Sequence, residues 1–143
     1  MHYIPYTILF VFLFSVTGCK GPDTGSEQVR SDNTVSGTLT LYLQKRDVIG
    51  LYVSFELKEQ ARDGAESSIA ETGFTRIFEH PIHFSLAYPP ERIKQQNGYL
   101  IITTVAEDPQ GKEEIATMSS PVLTQGQPSV LKMAIQPPIK PIE

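Results

Sequence analysis

The chain has 143 residues, 40% of them hydrophobic and 20% charged, with a formal net charge of −4 at pH 7. This length and composition predict a single globular domain with short extensions. The 12 Lys and Arg residues are scattered, and only Lys45 and Arg46 are adjacent, so we predict no nucleic-acid partner. A single cysteine excludes an internal disulfide and a multi-cysteine metal site.

An apolar run, Ile8 to Val16, ends three residues before this cysteine, Cys19. The run is shorter than the ~20 residues needed to cross a bilayer, but it has the length of the apolar part of a secretory signal. Residues Val16, Thr17, Gly18 and Cys19 resemble a bacterial lipobox, although the first seven residues carry no Lys or Arg. We therefore predict a lipoprotein signal peptide over residues 1–18. The alternative is that the apolar run is a buried strand or helix of the mature domain.

The lipobox implies that Cys19 carries acyl chains that insert into the lipid bilayer, where two or three chains anchor a protein stably. Residues 19–35 are mostly polar and are expected to form a lipidated flexible tether. Lys20 stands where an Asp tends to retain such lipoproteins in the inner membrane, so we expect an outer-membrane anchor that faces the periplasm. Residues 137–143 contain three prolines and are predicted to form an extended tail.

Between the tether and the tail, residues 36–136 show the period-two alternation of half-buried antiparallel strands. The predicted strands are 38–43, 51–57, 82–88, 99–105, 113–118 and 130–135, with a weaker candidate at 68–75. Asp47–Gly50 would join the first two strands as a hairpin, and Asp108–Gly111 has the pattern of a type I turn. About seven short strands with regular turns predict an all-β protein, a single antiparallel β-sandwich.

Two stretches lack the alternation of a strand. Residues Glu56–Ala70 are rich in helix formers but have no helical apolar stripe, and we expect a polar loop with at most one helical turn. A second short turn is predicted at Pro90–Lys94.

No group of residues indicates catalysis, a metal or a cofactor. His80 and His83 are three apart, which on a strand directs their rings to opposite faces. Ser119 and Ser120 have no base at a suggestive spacing and no nucleophile-elbow motif around them, and no phosphate-binding glycine loop is present. We predict that the protein is not an enzyme.

Several blocks of the sequence form a recognisable set: Ser36–Leu39, Leu57–Glu71, the run PIHFSLAYPPERI at 81–93 followed by Gly98-Tyr99, Asp108–Gly111, and Pro121–Gly126. In their order and spacing, these blocks resemble the YbaY/YscW family of bacterial lipoproteins. The resemblance implies a β-sandwich. One branch of the family consists of type III secretion pilotins, which bind the C-terminal segment of a secretin and carry it to the outer membrane. The other branch consists of poorly defined envelope lipoproteins.

A pilotin would need an apolar docking face, because a secretin tail tends to bind as an amphipathic helix. Outward-facing apolar residues on the predicted strands are Tyr42, Tyr52, Leu100 and Ile102. The alternative for Leu100 and Ile102 is that they lie under a loop. The alternative function is an envelope lipoprotein whose β-sandwich binds a small molecule or a glycan.

Overall fold

The computed structural model describes residues 33–43 and 46–136. The signal peptide, the lipobox with Cys19, most of the tether and the tail at 137–143 lie outside the described residues.

Eight strands and one turn of 3-10 helix make up the described chain. The strands are β1 (Thr34–Leu41), β2 (Tyr52–Gln60), β3 (Glu66–Glu71), β4 (Thr75–Arg76), β5 (Ile82–Ala87), β6 (Gly98–Ala106), β7 (Glu114–Pro121) and β8 (Val130–Ile135), and the helical turn spans Pro90–Arg92. Buried and exposed residues alternate along β5 and β8. This alternation places one face of each strand in the core, as the sequence predicts.

The strands form two sheets. The first has the order β5-β1-β8, and the second has the order β3-β2-β6-β7 with β4 also beside β2. The predicted β-sandwich is confirmed. Every pairing is antiparallel except that of β1 with β8, which is parallel and joins Ser36 to Val130 at one end and Leu41 to Ile135 at the other.

The predicted hairpin between the first two strands is wrong, because β1 and β2 belong to different sheets. A turn does form at the predicted place, where Leu51 N donates to Val48 O at 3.3 Å and Ile49 N donates to the Asp47 carboxylate at 2.9 Å. The turn carries the chain across the sandwich instead of back along the same sheet.

The predicted polar loop at Glu56–Ala70 is also wrong. β2 continues to Gln60 and β3 begins at Glu66, and the two strands pair as a hairpin with one register shift. Its turn is closed by Ala61 N donating to Ala65 O at 2.9 Å, with Gly64 at φ +85. The polar side chains do not prevent strand formation because most of them lie on exposed positions at a sheet edge.

The two remaining turns are confirmed. Gly111 N donates to Asp108 O at 3.2 Å, and the Asp108 carboxylate accepts from Gln110 N at 2.9 Å and from Glu113 N at 2.6 Å. These backbone hydrogen bonds, that of Glu113 above all, lower the pKa of Asp108. The helical turn at Pro90–Arg92 lies within the second predicted turn, at Pro90–Lys94.

The core lies between the two sheets. Phe55 of β2 and Phe84 of β5 stack across it, with ring centroids 4.2 Å apart and planes 12° apart. Gly37 allows the close approach of β8 to β1, because a Cβ atom at this position would overlap the carbonyl oxygen of Leu131. A side chain at position 37 of the central strand β1 would therefore push β8 away from β1.

Candidate docking groove

A groove of about 450 Å³ opens between the two sheets on one side of the sandwich. We call this side the β4–β5 margin, because β4 of the larger sheet and β5 of the smaller sheet border it. Residues lining the groove come from β2, β4, β5 and the segments on either side of β4: Val53, Phe55, Thr72, Thr75, Arg76, Ile77, Phe78, Glu79, Ile82, His83, Phe84 and Ser85.

The groove exists because the edge of the larger sheet is interrupted. β3 ends at Glu71 and β4 has only two residues. Between them Thr72 satisfies the backbone of β2, accepting from Phe55 N through its hydroxyl at 3.0 Å and donating its own N–H to Phe55 O at 2.9 Å. Gly73 then turns the chain at φ +67, a conformation that favours glycine. The Phe55–Phe84 stack is left as the floor of an opening.

The floor of the groove is apolar and its rim is polar. Buried side chains from both sheets form the floor: Val53, Phe55, Ile77, Ile82 and Phe84. Phe78 lies on the rim and is 75% exposed, more than any other large hydrophobic residue in the described chain. The exposed ring and the buried floor make this opening the candidate interaction site of the described chain.

The segment that carries Phe78 is fixed on both sides of it. Ile77 N donates to Leu51 O at 2.7 Å and Ile77 O accepts from Gly50 N at 2.9 Å. His80 Nε2 accepts from Leu41 N at 2.9 Å. Phe78 therefore projects from an anchored connection.

Two residues beside Phe78 bring charge to the rim. The Arg76 guanidinium carbon lies 5.8 Å from the centroid of the Phe78 ring, within cation–π range. Glu79 follows Phe78 directly. In the described residues, neither Arg76 nor Glu79 takes part in an ion pair.

His80 and His83 have separate partners. His80 caps the end of β1, as described above, while His83 Nδ1 lies 3.4 Å from Thr38 Oγ1 on the outer face of the smaller sheet. Over residues 33–43 and 46–136, no group of three or more His, Cys, Asp or Glu side chains is placed to hold a metal ion. The same part of the chain contains no helix long and apolar enough to span a membrane.

The four predicted docking residues are only partly brought together, because Leu100 and Ile102 alone are immediate neighbours on one strand face. Tyr42 follows β1 and is 54% exposed, while Tyr52 opens β2 opposite Ala106. Leu100 and Ile102 lie on the outer face of the larger sheet, opposite Lys58 and Glu56. Both are half-buried. None of the four lines the groove, and a docking role for them remains a prediction.

No pattern in the sequence predicted the groove. The available signal was the run Arg76-Ile77-Phe78-Glu79, an aromatic residue next to charged residues just before a proline-containing strand start. Whether such an aromatic side chain points into the core or onto a rim depends on the length of β4, which no local pattern specifies.

A polar cluster closes the opposite end of the larger sheet. The Glu59 carboxylate accepts from Asn97 Nδ2 at 2.6 Å, Ser67 Oγ at 3.1 Å and Tyr99 OH at 3.2 Å, and Lys94 Nζ lies 3.9 Å away. The Asn97 hydrogen bond is the main cause that lowers the pKa of Glu59, whereas burial raises the pKa of Tyr99. The cluster satisfies its own polar groups and shows no open site.

The described chain is thus a small β-sandwich with an apolar groove at one margin. The chain belongs to the family of type III secretion system lipoprotein chaperones (YscW), whose model matches residues 31–134. The resemblance found in the sequence blocks is thus confirmed for the YscW side of the family.

One solved structure shows the same fold at low sequence identity. It is an alternative pilotin from the type II secretion system of Vibrio cholerae, 18% identical, with a TM-score of 0.58 over 71% of this chain and 92% of that chain. No curated protein matches the chain.

Proposed function

We propose that this protein is a pilotin that binds the C-terminal segment of a type III secretion secretin and helps its targeting to the outer membrane and its assembly there. The family is one of lipoprotein chaperones for this secretion system. The observation that carries the proposal is the groove at the β4–β5 margin, with its buried aromatic floor and the exposed Phe78 on its rim. A chaperone of this kind needs a docking surface and an anchor.

The groove suits an amphipathic segment. A helix that docks in a groove inserts apolar side chains spaced three or four residues apart and leaves its polar face in water. The Phe55–Phe84 stack offers such side chains a flat aromatic surface, and the exposed Thr75, which pairs with Val53 on β2, would face the polar side of the segment.

Calorimetry with the full-length protein in detergent tests the proposal. The probe is a synthetic peptide of the C-terminal segment of the secretin encoded beside this chain. We expect binding that Phe78→Ser weakens about tenfold or more, because a central aromatic contact is commonly worth over 1 kcal/mol.

The matched control is Leu100→Ser, on the outer face of the larger sheet. If Leu100→Ser weakens binding and Phe78→Ser does not, the docking surface is the one predicted from the sequence and not the groove. If the wild-type protein binds no such peptide, the pilotin function is wrong.

The anchor is a second part of the proposal. Cys19 would be acylated and would hold the domain at the outer membrane through residues 19–35, facing the periplasm. We expect Cys19→Ser to abolish incorporation of labelled palmitate, while Ser31→Ala, in the same predicted tether, keeps it. Labelling of Cys19→Ser at the wild-type level would contradict the lipobox interpretation.

A small apolar ligand or a glycan is the second candidate occupant. The groove volume of about 450 Å³ falls in the range of small-molecule sites, and three phenylalanines line it. Mass spectrometry of the protein purified under native conditions distinguishes this candidate: a stoichiometric small molecule that the secretin peptide does not displace would favour it over the pilotin function.

A further inference from the structure

We infer that the two rim charges, Arg76 and Glu79, fix the direction in which a segment lies in the groove. The segment would carry an apolar anchor with an acidic residue on the side of Arg76 and a basic residue on the side of Glu79. This inference rests on the proposed pilotin function and specifies the chemistry of its partner.

The two charges are held on different parts of the margin. Arg76 is the last residue of β4 and pairs with Tyr52, so its backbone is fixed to the larger sheet. Glu79 lies in the connection that leads to β5 in the smaller sheet, one residue before His80, which is anchored to Leu41 N. The rim therefore presents opposite charges at separate points of one fixed frame.

Neither charge is neutralised by the described part of the protein. Its ion pairs are Arg46–Glu107, Lys58–Glu66 and Lys94–Glu59, and none of these residues lines the groove. Arg76 contacts the Phe78 ring, which leaves its charge in place. Apart from His83, the other groove-lining side chains carry no ionisable group, so Arg76 and Glu79 supply the opposite charges of the lining.

Arg76, Phe78 and Glu79 fall within four consecutive residues, so their backbone positions lie within the reach of one short segment. Phe78 lies between Arg76 and Glu79 in the sequence, and its ring is 5.8 Å from the Arg76 guanidinium. An anchor side chain packed against Phe78 and the floor would place its helical neighbours, three or four residues away, near the two charges. A segment in the reverse direction would place like charges together, which disfavours it.

The test compares two peptides on the full-length protein in detergent. One is the secretin C-terminal peptide, and the other has its acidic and basic residues exchanged. An exposed ion pair changes affinity by up to about fivefold, so two pairs turned from attractive to repulsive should favour the native peptide by about tenfold at low salt. The preference should shrink as salt screens the charges.

The decisive variant exchanges the rim charges, Arg76→Glu with Glu79→Arg, which leaves the net charge and the floor unchanged. We expect this variant to prefer the exchanged peptide. A neutral variant, Arg76→Gln with Glu79→Gln, should bind both peptides equally, and it provides the test if the exchanged variant does not fold.

The outcomes separate this inference from the proposed function. If the wild type binds the native peptide, Phe78→Ser weakens binding, and neither rim variant changes the preference, the directional role of the charges is wrong while the pilotin function stands. If no peptide binds the wild-type protein, both are wrong.

Discussion

At each of the two margins of the sandwich, a segment of the chain connects the two sheets. The two segments differ in how far their side chains are buried. At the β7–β8 margin, where the edge strands β7 and β8 face each other, residues 122–129 join the sheets, and Val122 and Thr124 are 0% and 2% exposed. The Thr124 hydroxyl donates to Asn97 O at 2.6 Å. At the β4–β5 margin, residues 77–81 also join the sheets, yet Phe78 is 75% exposed.

The β7–β8 margin is therefore closed by buried side chains that contribute to stability, whereas the β4–β5 margin leaves apolar surface exposed to solvent. Leu123 and Gln125 adopt positive φ values of 68 and 58, which costs free energy for residues other than glycine. Leu123 packs against the core and donates its N–H to Pro128 O at 3.1 Å, and the turn around the exposed Gln125 is closed by Gln127 N donating to Thr124 O at 3.1 Å. At the open margin, the segment is equally anchored but its aromatic side chain has not been buried.

The largest expected effect is that of Gly37→Ala, which should disrupt both margins because β1 lies between β5 and β8. The new Cβ would overlap the Leu131 carbonyl, and overpacking against backbone should cost about 3 kcal/mol of unfolding free energy. Urea unfolding measures this loss. Ser36→Ala, one residue earlier in β1, is the control and should change stability by less than about 0.5 kcal/mol. Equal midpoints for the two variants would contradict the close β1–β8 approach.

The second-largest expected effect compares the stability that one side chain contributes at each margin. Val122→Ala removes fully buried methyl groups from the closed margin and should cost about 2 kcal/mol of unfolding free energy. Phe78→Ala removes a larger side chain from the open margin, but because the ring is mostly in water it should cost less than about 0.5 kcal/mol. Thermal and urea unfolding of both variants check this contrast. Similar losses for the two would mean that Phe78 contributes to the core.

The smallest effect concerns pH. The pKa of Glu59 is lowered in the folded protein from its ordinary value of 4.5, so its hydrogen bonds stabilise the fold fully above that pH. The contribution is lost as the pH falls through the folded pKa. Glu59→Gln should therefore be less stable than wild type near pH 7, and the difference should narrow below about pH 4.5. A difference that stays constant down to pH 2 would contradict this role.

The faces of the strands could be predicted from the sequence, but the partners of the strands could not. The alternation in Ile82–Ala87 and Val130–Ile135 reports which side chains are buried, because burial follows the strand period. Alternation carries no information on which strand lies alongside. The hairpin predicted for the first two strands failed for this reason, since the turn near Asp47–Gly50 fits both a hairpin and a crossing between sheets.

The hairpin of β2 and β3 could have been predicted from its turn residues, but the polar composition of the flanking residues obscured this signal. Arg62-Asp63-Gly64 form a three-residue hairpin loop in which Gly64 N donates to Ala61 O at 3.0 Å, and Gly64 takes the positive φ that such loops need at their last residue. The charged residues on either side favoured a loop in the sequence analysis, because an exposed edge strand has polar residues where a buried strand has apolar ones. The groove was even harder to predict from the sequence, since it depends on an interruption between two short strands, β3 and β4.

The central position of β1 in the smaller sheet also has a mechanical consequence. β1 is held by six residue pairs on each side, to β5 and to β8, and the hydrogen bonds of its antiparallel ladder run across the strand direction. A pull on the chain before Asn33 runs along β1 and loads these bonds together in shear, so they must break as a group and not one at a time. A domain dragged by its amino-terminal end through a viscous compartment would resist unravelling at the strand where the force enters.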